Sequence, residues 1–346
     1  MNFIDLRSDT VTHPTPEMRE AMAKAEVGDD VFMEDPTTNE LQEKAAARLG
    51  KEAGLFVPSG TMGNLLAVLA HCGRGDEAIV GNLGHTFLFE AGGISALGGV
   101  HPYVLQNQAD GTLTMDDLRS AIRPNDVHAP VSRLVVLENT HNRCGGVPLS
   151  VEYTRRVADF AHQNGLSLHL DGARIFHAAT ALQVDAKELC EGVDSVTFCL
   201  SKGLCAPVGS VLCGSREFIA KARRLRKQAG GGMRQVGVLA AAGLIALEKM
   251  TMRLEEDHLR ARRLAKGLAE IPGICLDPGS PHTNMIFMSL DDRIQSSAAD
   301  VAAEMKKLGI LVGVIGARKF RLVTHYWISD SDAEKTIAAF GKVLSA

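Results

Sequence analysis

The chain has 346 residues, of which 45% are hydrophobic and 23% charged, a composition typical of a globular protein large enough for two hydrophobic cores. Its formal net charge of −4 gives no reason to expect nucleic acid or an anionic membrane as a partner.

The cysteines and the apolar segments indicate the compartment. The seven cysteines are odd in number, and no two of them form a Cys-x-x-Cys pair. This pattern predicts a reduced, cytoplasmic protein without disulfides. The N-terminal residues include early acidic side chains and lack the apolar core of a signal peptide, so we expect no secretion. The longest apolar segment, 236–247, is too short to span a bilayer and predicts a buried helix.

The first part of the chain predicts a helix, then a strand that leads through a turn into a second helix. Thr15, followed by a proline and a glutamate, has the sequence of a helix N-terminus. A strand over 55–57 precedes the small-residue turn 58–63, and an apolar helix over 64–70 follows the turn. Residues 78–80 predict another short strand.

The middle of the chain contains three strand-like runs, at 134–137, 166–170 and 195–200, spaced by roughly thirty residues as βαβ units require. Helical sequence fills the gaps, and Ser150 is predicted to cap one of these helices. Strands that are almost continuously apolar are typical of a parallel sheet covered on both faces. We therefore predict an α/β fold with a mostly parallel central sheet.

The C-terminal part predicts a smaller α+β domain. A long helical region is expected to end near Pro272, and a final helix is expected to begin with a capping box formed by Ser331 and Glu334. Three strands are expected between these helices, at 284–290, 310–314 and 321–326. We place the boundary inside the long helical region, which gives a large domain at 1–250 and a small domain at 251–346.

Polar residues follow the predicted strands at the points where the strands end. Asp171 and Arg174 follow the second strand of the middle region, and Lys202 follows the third. Ligands of open α/β sheets bind beyond the carboxyl ends of the strands, so these side chains are expected to converge on one cleft. As alternatives, Asp171 is explained by helix capping and Lys202, taken alone, by a solvated surface position.

The turn at 58–63 is a candidate anion site, because its small residues expose backbone amides at the N-terminus of a helix. Ser59 and Thr61 add hydroxyl donors. A tight turn without a ligand is the alternative interpretation. The turn has neither a Walker sequence nor the dinucleotide-binding Gly-x-Gly-x-x-Gly pattern, which favours a small phosphorylated ligand over ATP or NAD.

Together, the anion site, Asp171 and Lys202 have the chemistry that pyridoxal 5′-phosphate requires. A carboxylate can keep a pyridine nitrogen protonated, and a lysine can form a Schiff base with the cofactor's aldehyde. His169 and Asp171 are two residues apart on one predicted strand, but no third ligand accompanies them, so no metal site is predicted.

A sequence that combines these features resembles the low-specificity L-threonine aldolases. They are a family of fold type I (aspartate aminotransferase-like) pyridoxal phosphate enzymes. The resemblance covers nearly the whole chain and rests on motifs that occur in the family's order. They are DLRSDT at 5–10, GDDV at 28–31, PSGT at 58–61, LENTHN at 137–142, HLDGAR at 169–174, LSKG at 200–203, GGGMRQ at 230–235 and RLVTH at 321–325. The implied fold adds a smaller C-terminal α+β domain to the parallel sheet.

The resemblance implies a role for each matching position. Lys202 would attach the cofactor covalently, Asp171 would pair with its ring nitrogen, and His85 would stack on its ring. The other implied cofactor contacts come from Gly60 and Thr61 at the phosphate, Arg174 at the 3′ oxygen, and Arg234, which a neighbouring subunit can supply. The implied contacts of the substrate carboxylate are Ser8, Arg174 and Arg321. His85 and His128, or a water that they hold, are the implied candidates for the catalytic base.

The implied reaction is retro-aldol cleavage of L-threonine, L-allo-threonine and related L-3-hydroxy-α-amino acids to glycine and an aldehyde, by a carbon–carbon lyase. The implied protein is a cytoplasmic homotetramer with active sites at subunit interfaces and a small-molecule amino acid as its substrate. Another fold type I reaction (aminotransferase or β-lyase), or pyridoxal phosphate binding without catalysis, is the alternative. Phe32 departs from the family, which usually has tyrosine after GDDV, so a preference between threonine and allo-threonine does not transfer.

Overall fold

The computed structural model describes residues 3–345. The chain divides into two compact units. The large unit spans Pro14–Thr251, and the small unit combines the described residues of Met1–His13 and Met252–Ala346.

The described residues contain twelve strands in two sheets. In chain order they are β1 (Ile4–Leu6), β2 (Ala53–Val57), β3 (Asp76–Gly81), β4 (His101–Leu105), β5 (Val131–Glu138), β6 (Ser167–Asp171), β7 (Ser195–Cys199), β8 (Ser210–Gly214), β9 (Ile274–Leu276), β10 (Met285–Leu290), β11 (Ile310–Gly316) and β12 (Lys319–Val323).

The same residues contain α-helices of four to sixteen residues. They are α1 (Pro16–Lys24), α2 (Pro36–Arg48), α3 (Gly60–His71), α4 (His85–Leu88), α5 (Gly93–Ala96), α6 (Met115–Ala121), α7 (Val151–Gln163), α8 (Ile175–Leu182), α9 (Ala186–Leu189), α10 (Arg216–Gln228), α11 (Gly237–Glu248), α12 (Leu254–Ala269), α13 (Ala298–Lys307) and α14 (Asp330–Leu344). Short 3₁₀ helices lie at Asp9–Val11, Asp30–Phe32 and Met250–Arg253.

The large unit is built on a seven-stranded sheet in the order β2-β8-β7-β6-β5-β3-β4. All its strand pairs are parallel except the two that β8 makes, with β2 and with β7. All five residues of the inner strand β7 are buried, as expected for a strand covered on both faces. The predicted α/β fold with a mostly parallel sheet is confirmed.

Helix N-termini in the large unit follow the local sequence. The Thr15 side chain accepts a hydrogen bond from the Met18 amide at the start of α1, and the Ser150 side chain accepts one from the Tyr153 amide at the start of α7. Both predicted caps are confirmed. Ser59 caps α3 in the same way, by accepting from the amide of Met62 at 3.2 Å.

Side chains satisfy the outer edge of β2, the last strand on one side of the large sheet. The Phe56 amide donates to Gln42 Oε1 at 3.0 Å, and Arg226 Nη1 donates to the Phe56 carbonyl at 2.7 Å. Arg226 also forms an ion pair with Asp30, and both side chains are buried. Helix α10 therefore ties the segment around residue 30 to the edge of the sheet, and the edge is closed to further strand pairing.

The small unit has a five-stranded sheet in the order β1-β11-β12-β10-β9. Strand β1 pairs in parallel with β11, with Ile4 opposite Ile310, and the other pairs are antiparallel. The N-terminal residues therefore belong to the small unit, because they supply its edge strand. The division into domains at 1–250 and 251–346 stays a prediction, and the compact units differ from it in the placement of these N-terminal residues.

Two details of the C-terminal region differ from the predictions. The long helical region is divided into α11 and α12 by the 3₁₀ helix at Met250–Arg253. The predicted capping box of Ser331 and Glu334 is wrong, because the box is formed two residues earlier by Ser329 and Asp332. Ser329 Oγ accepts from the Asp332 amide at 3.2 Å, and Asp332 Oδ2 accepts from the Ser329 amide at 3.0 Å. Across residues 3–345, every helix is too short or too polar to cross a membrane.

Candidate active site

The carboxyl ends of β5, β6 and β7 lie side by side in the large unit. Glu138 is paired with Asp171, and Asp171 with Thr197, in the parallel register of these strands. Lys202 follows the end of β7 at Cys199 by three residues. The sheet thus brings Asp171 and Lys202 to one edge, where ligands of α/β proteins bind.

The N-terminus of α3 adjoins this edge. A Cβ atom built on Gly60 would lie 2.9 Å from Cys199 Sγ, so the turn before the helix packs its backbone directly against the end of β7. The first-turn amides of Gly60 and Thr61 have no acceptor within the helix, as in every α-helix. These amides and the helix dipole give the edge an anion-binding surface next to the lysine-bearing loop.

Asp171 is 3% exposed and accepts hydrogen bonds on both carboxylate oxygens. Its Oδ1 accepts from the Ala173 amide at 3.1 Å, and its Oδ2 accepts from Asn64 Nδ2 at 2.8 Å. Two N–H donors hold the carboxylate in place, which suits a group that must pair with a cation.

His85 begins α4, and its backbone amide donates to Glu138 Oε2 at 2.6 Å. Its imidazole Nδ1 lies 2.9 Å from Glu90 Oε1. The Glu90 hydrogen bond raises the pKa of His85, against the effect of burial, and the charges of Asp171 and Lys202 also act on the imidazole. Burial raises the pKa of Glu90, which is 4% exposed.

A chain of buried polar side chains continues behind Asp171. Asn64 Oδ1 lies 3.1 Å from His169 Nε2, His169 Nδ1 lies 2.9 Å from Ser195 Oγ, and Ser195 Oγ lies 2.8 Å from His71 Nε2. Burial lowers the pKa of His169 to about 3 and that of His71 to about 4. Both imidazoles are therefore neutral, and the aspartate is supported by a neutral network.

Sequence reasoning missed Asn64 and Glu90. Asn64 is the one polar residue in the apolar run 64–70 of α3. A polar residue at this position, close to the anion-binding turn, was the available sign of a role in the site. Glu90 follows the four-residue helix α4 and has no periodic pattern around it, so nothing in the sequence distinguishes it from a surface glutamate.

One atom each of His85, Glu90 and Asp171 could approach a common cation, since these atoms lie within 4.8 Å of one another. The Asn64 amide already donates to both carboxylates of this group. The hydrogen bonds among these side chains account for their proximity, and the absence of a metal site stays a prediction.

The two other cofactor candidates in the large unit differ in burial. Arg174 lies at the N-terminal end of α8, just after β6, and is 7% exposed. Arg234 lies in the loop before α11, with a half-exposed side chain whose Nη1 donates to Asp29 Oδ2 at 2.9 Å. The Arg234 carbonyl accepts from the Asp30 amide at 3.1 Å, so the GDDV and GGGMRQ motifs are held together.

The remaining candidates lie outside this cluster. The His128 side chain is 88% exposed, and its Nδ1 lies 2.7 Å from Asp126 Oδ1. Ser8 and Arg321 belong to the small unit, where Arg321 Nη2 donates to the carbonyl of Arg7, the residue before Ser8, at 3.2 Å. The assignments of these three residues stay predictions.

Comparison with known proteins identifies the family. Residues 5–292 match the beta-eliminating lyase family. Low-specificity L-threonine aldolase 1 of Arabidopsis thaliana is 48% identical, over 99% of this chain and 97% of that protein. Low specificity L-threonine aldolase of Escherichia coli (strain K12) is 47% identical, over 94% of this chain and 95% of that protein.

A solved structure of Leishmania major threonine aldolase has the same fold, with a TM-score of 0.82 at 21% identity, over 99% of each chain. The sequence matches identify the family more specifically than the fold does, because nearly half of the residues are identical over almost the full length. The chain therefore belongs to the beta-eliminating lyase family and, within it, to the low-specificity L-threonine aldolases.

Proposed function

We propose that this protein is a pyridoxal 5′-phosphate-dependent aldolase that cleaves L-threonine, L-allo-threonine and related L-3-hydroxy-α-amino acids to glycine and an aldehyde. Its family membership supports the reaction. The observation that carries the proposal is the meeting of Lys202, Asp171 and the N-terminus of α3 at one edge of the large sheet.

The residues at this edge fit the cofactor. The backbone at Gly60 leaves no room for a side chain, and the amides that begin α3 suit a phosphate. Asp171 holds a carboxylate that already accepts two N–H groups, and Lys202 supplies a primary amine. When bound, pyridoxal phosphate supplies an electron-accepting ring that stabilises the charge left on the substrate α-carbon as the Cα–Cβ bond breaks.

The chain's own residues would then act as follows. Asp171 keeps the proton on the cofactor's ring nitrogen, and Arg174 and Arg234 supply further positive charge. Ser8 and Arg321, with Arg174, are the proposed ligands of the substrate carboxylate, on the resemblance alone. A base takes the proton from the substrate's β-hydroxyl, and His85 is the candidate that lies in the buried cluster, whereas His128 is exposed.

We also propose that the protein is a cytoplasmic homotetramer with active sites at subunit interfaces. Large apolar side chains on the surface of the large unit support self-association, among them Phe32 and Met33, which are 67% and 60% exposed. All seven cysteines are unpaired, which suits a reducing compartment. Light scattering on the purified protein gives the assembly directly, and a monomer at micromolar concentration would contradict the proposal.

The test of the reaction compares the wild type with Lys202→Ala and with Lys187→Ala, a control at an exposed lysine. We expect the wild type and Lys187→Ala to release glycine and acetaldehyde from L-threonine. Both should retain covalently attached cofactor after borohydride reduction, detected by mass. Lys202→Ala should lack the attached cofactor and lose activity by about a thousandfold or more. An oxo acid as the product would contradict the proposed reaction, and attached cofactor in Lys202→Ala would contradict the role of Lys202.

Phe32 permits a test of substrate preference. Rates for L-threonine and L-allo-threonine measured side by side, in the wild type and in Phe32→Tyr, show whether the missing hydroxyl sets the ratio between the two substrates. We expect Phe32→Tyr to change this ratio. An unchanged ratio would assign the preference to other residues.

A further inference from the structure

The buried hydrogen-bond chain of the large unit ends on the imidazole of His85. We propose that Glu90 and Asn64 are positioning residues that hold His85 in the tautomer protonated on Nδ1, so that Nε2 is the atom that accepts the substrate's hydroxyl proton. The role of Nε2 rests on the proposed function. The tautomer does not, because it is a property of the protein alone.

The orientation of the Asn64 amide is the first step of the argument. One end of this amide lies 2.8 Å from Glu90 Oε1 and 2.8 Å from Asp171 Oδ2. Only the NH₂ group can face two carboxylate oxygens, since the amide oxygen would be repelled by both. The Asn64 NH₂ group therefore donates to both carboxylates, and its Oδ1 faces His169.

The rest of the chain agrees with this orientation. Because Asn64 Oδ1 is an acceptor, His169 Nε2 must donate to it, and the neutral His169 then carries no proton on Nδ1. Its Nδ1 then accepts from Ser195 Oγ at 2.9 Å, although the Ser195 carbonyl, which can only accept, lies 3.1 Å from the same nitrogen. The orientation of the Asn64 amide is therefore set by the two carboxylates and not by the histidines behind it.

The bond between Glu90 and His85 follows from the same reasoning. Glu90 Oε1 accepts from Asn64 and lies 2.9 Å from His85 Nδ1. An unprotonated Nδ1 would set its lone pair against the carboxylate oxygen, whereas a protonated Nδ1 donates to it. Glu90 Oε2 has no hydrogen-bond partner within residues 3–345, so Oε1 receives both donors. Nδ1 therefore carries the proton, and Nε2 is left as the acceptor of the neutral imidazole.

The charges around His85 act in both directions. The titratable groups that face it from the neighbouring elements are Glu90 after α4, Glu138 at the end of β5, His141 after β5, Asp171 at the end of β6, and Lys202 after β7. The hydrogen bond that His85 makes to Glu90 acts most strongly on the pKa of His85 and raises it, and the charge of Asp171 raises it further. Burial and the charge of Lys202 lower it. Removing the charge of Glu90 should therefore make Nε2 less basic.

The experiment measures the tautomer by ¹⁵N NMR of histidine-labelled protein, in which the His85 signals are those absent from His85→Gln. In the cofactor-free wild type, at a pH above the raised pKa of His85, Nδ1 should show the shift of a protonated nitrogen and Nε2 that of an unprotonated one. Glu90→Met removes the acceptor, and the proton should move to Nε2. Glu90→Gln keeps an acceptor without charge, so the proton should stay on Nδ1 while the imidazole titrates about one pH unit lower.

The control is Glu77→Gln, which removes another buried carboxylate of the large unit, one that is paired with Arg123. It should leave the tautomer and the titration of His85 unchanged. A wild-type proton on Nε2, or a proton that remains on Nδ1 in Glu90→Met, would overturn the proposal. If Glu90→Met does not fold, the wild-type tautomer and the titration of His85 in Glu90→Gln still test the proposal.

The result of the tautomer experiment can be distinguished from the result of the activity test of the proposed function. A protein that releases no acetaldehyde from L-threonine but holds His85 protonated on Nδ1 would refute the proposed reaction and leave the tautomer assignment intact. A protein that cleaves L-threonine with His85 protonated on Nε2 would refute the tautomer assignment alone.

Discussion

At the scale of single residues, the neutral side chain of Asn64 does what no charged side chain could do in its place. It lies 1% exposed between two carboxylates and an imidazole, and it satisfies all three. An aspartate there would add a third negative charge to a buried cluster, and a leucine would leave three polar groups without their partner. The loss of stability on replacing Asn64 therefore comes mainly from the buried polar partners that would be left without a hydrogen bond.

His169 gives a prediction for the pH dependence of stability. Its pKa is about 3 in the folded protein, below the ordinary value of 6.5 that applies once the chain unfolds. As pH falls, the unfolded state binds the proton first. The contribution of His169 to stability is therefore fully present above pH 6.5 and is lost as the pH falls towards 3. Between pH 7.5 and pH 5, this single group should cost the wild type about 2 kcal/mol.

The measurement is urea unfolding at both pH values, for the wild type and for His169→Gln. The variant keeps a donor towards Asn64 but cannot titrate, so its stability should fall by about 2 kcal/mol less over the same interval. An equal decline in the two proteins would show that His169 does not contribute.

Sequence reasoning located the chemical groups of the site but not the residues that hold them. Asp171 and Lys202 could be predicted, because each follows an apolar strand of a parallel sheet and such strand ends meet. The role of Asn64 depends on which face of α3 is turned to β6, and that of Glu90 depends on the path of a short loop. Neither property leaves a periodic signal in the sequence.

At the scale of elements, the buried strands of the large sheet left a clearer signal in the sequence than the break in the long helical region. Strands β5, β6 and β7 are mostly buried, and their apolar residues stand out from the polar sequence around them. The break between α11 and α12 falls in Met250–Arg253, which contains neither proline nor glycine. The sequence therefore has no local signal for that break.

The corrected start of α14 gives a second prediction. Ser329→Ala removes the side-chain oxygen that accepts from the Asp332 amide, and we expect it to lower the free energy of unfolding by about 1 kcal/mol. Ser331→Ala is the matched control, since Ser331 is exposed and lies inside the first turn. Urea unfolding of both variants checks this. A larger loss of unfolding free energy in Ser331→Ala than in Ser329→Ala would contradict the assignment of the cap to Ser329.

A third prediction concerns the close approach of α3 to β7. In Gly60→Ala the added methyl group would lie 2.9 Å from Cys199 Sγ, so one of the two elements must shift, at a cost of about 1–3 kcal/mol. Cys199→Ala removes the sulfur and should recover most of that loss when the two changes are combined. Unfolding free energies of the two single variants and the double variant test this, and additive losses would contradict it.

At the scale of the whole molecule, contacts between distant parts of the sequence hold the large unit together. Asp30 and Arg226 are 196 residues apart and form a buried ion pair, with a second arginine, Arg223, 3.5 Å from the same carboxylate. Long-range pairs of this kind cannot be read from a single sequence. Asp30 lies within the GDDV motif and Arg226 shortly before GGGMRQ, but neither motif indicates the pairing.

The fourth prediction follows from this pair. Arg226→Met leaves Asp30 buried with only Arg223 nearby and also removes the donor to the Phe56 carbonyl. We expect a loss of about 3–5 kcal/mol in the free energy of unfolding, as for other broken buried ion pairs. Asp30→Asn combined with Arg226→Met should be less destabilised than Arg226→Met alone, measured by urea unfolding. A double variant that loses the sum of the two single effects would show that the pair is not coupled.

The pairing of β1 with β11 has a consequence for the order in which the protein is assembled on the ribosome. Ile4 emerges long before its partner strand, which begins at Ile310. At about 5–20 residues per second, synthesis of the roughly 300 intervening residues takes about 15–60 s. Every strand of the large sheet emerges within that interval, while the first strand of the chain still has no partner. The small unit is thus completed after the large sheet, although its strand β1 precedes every strand of that sheet in the sequence.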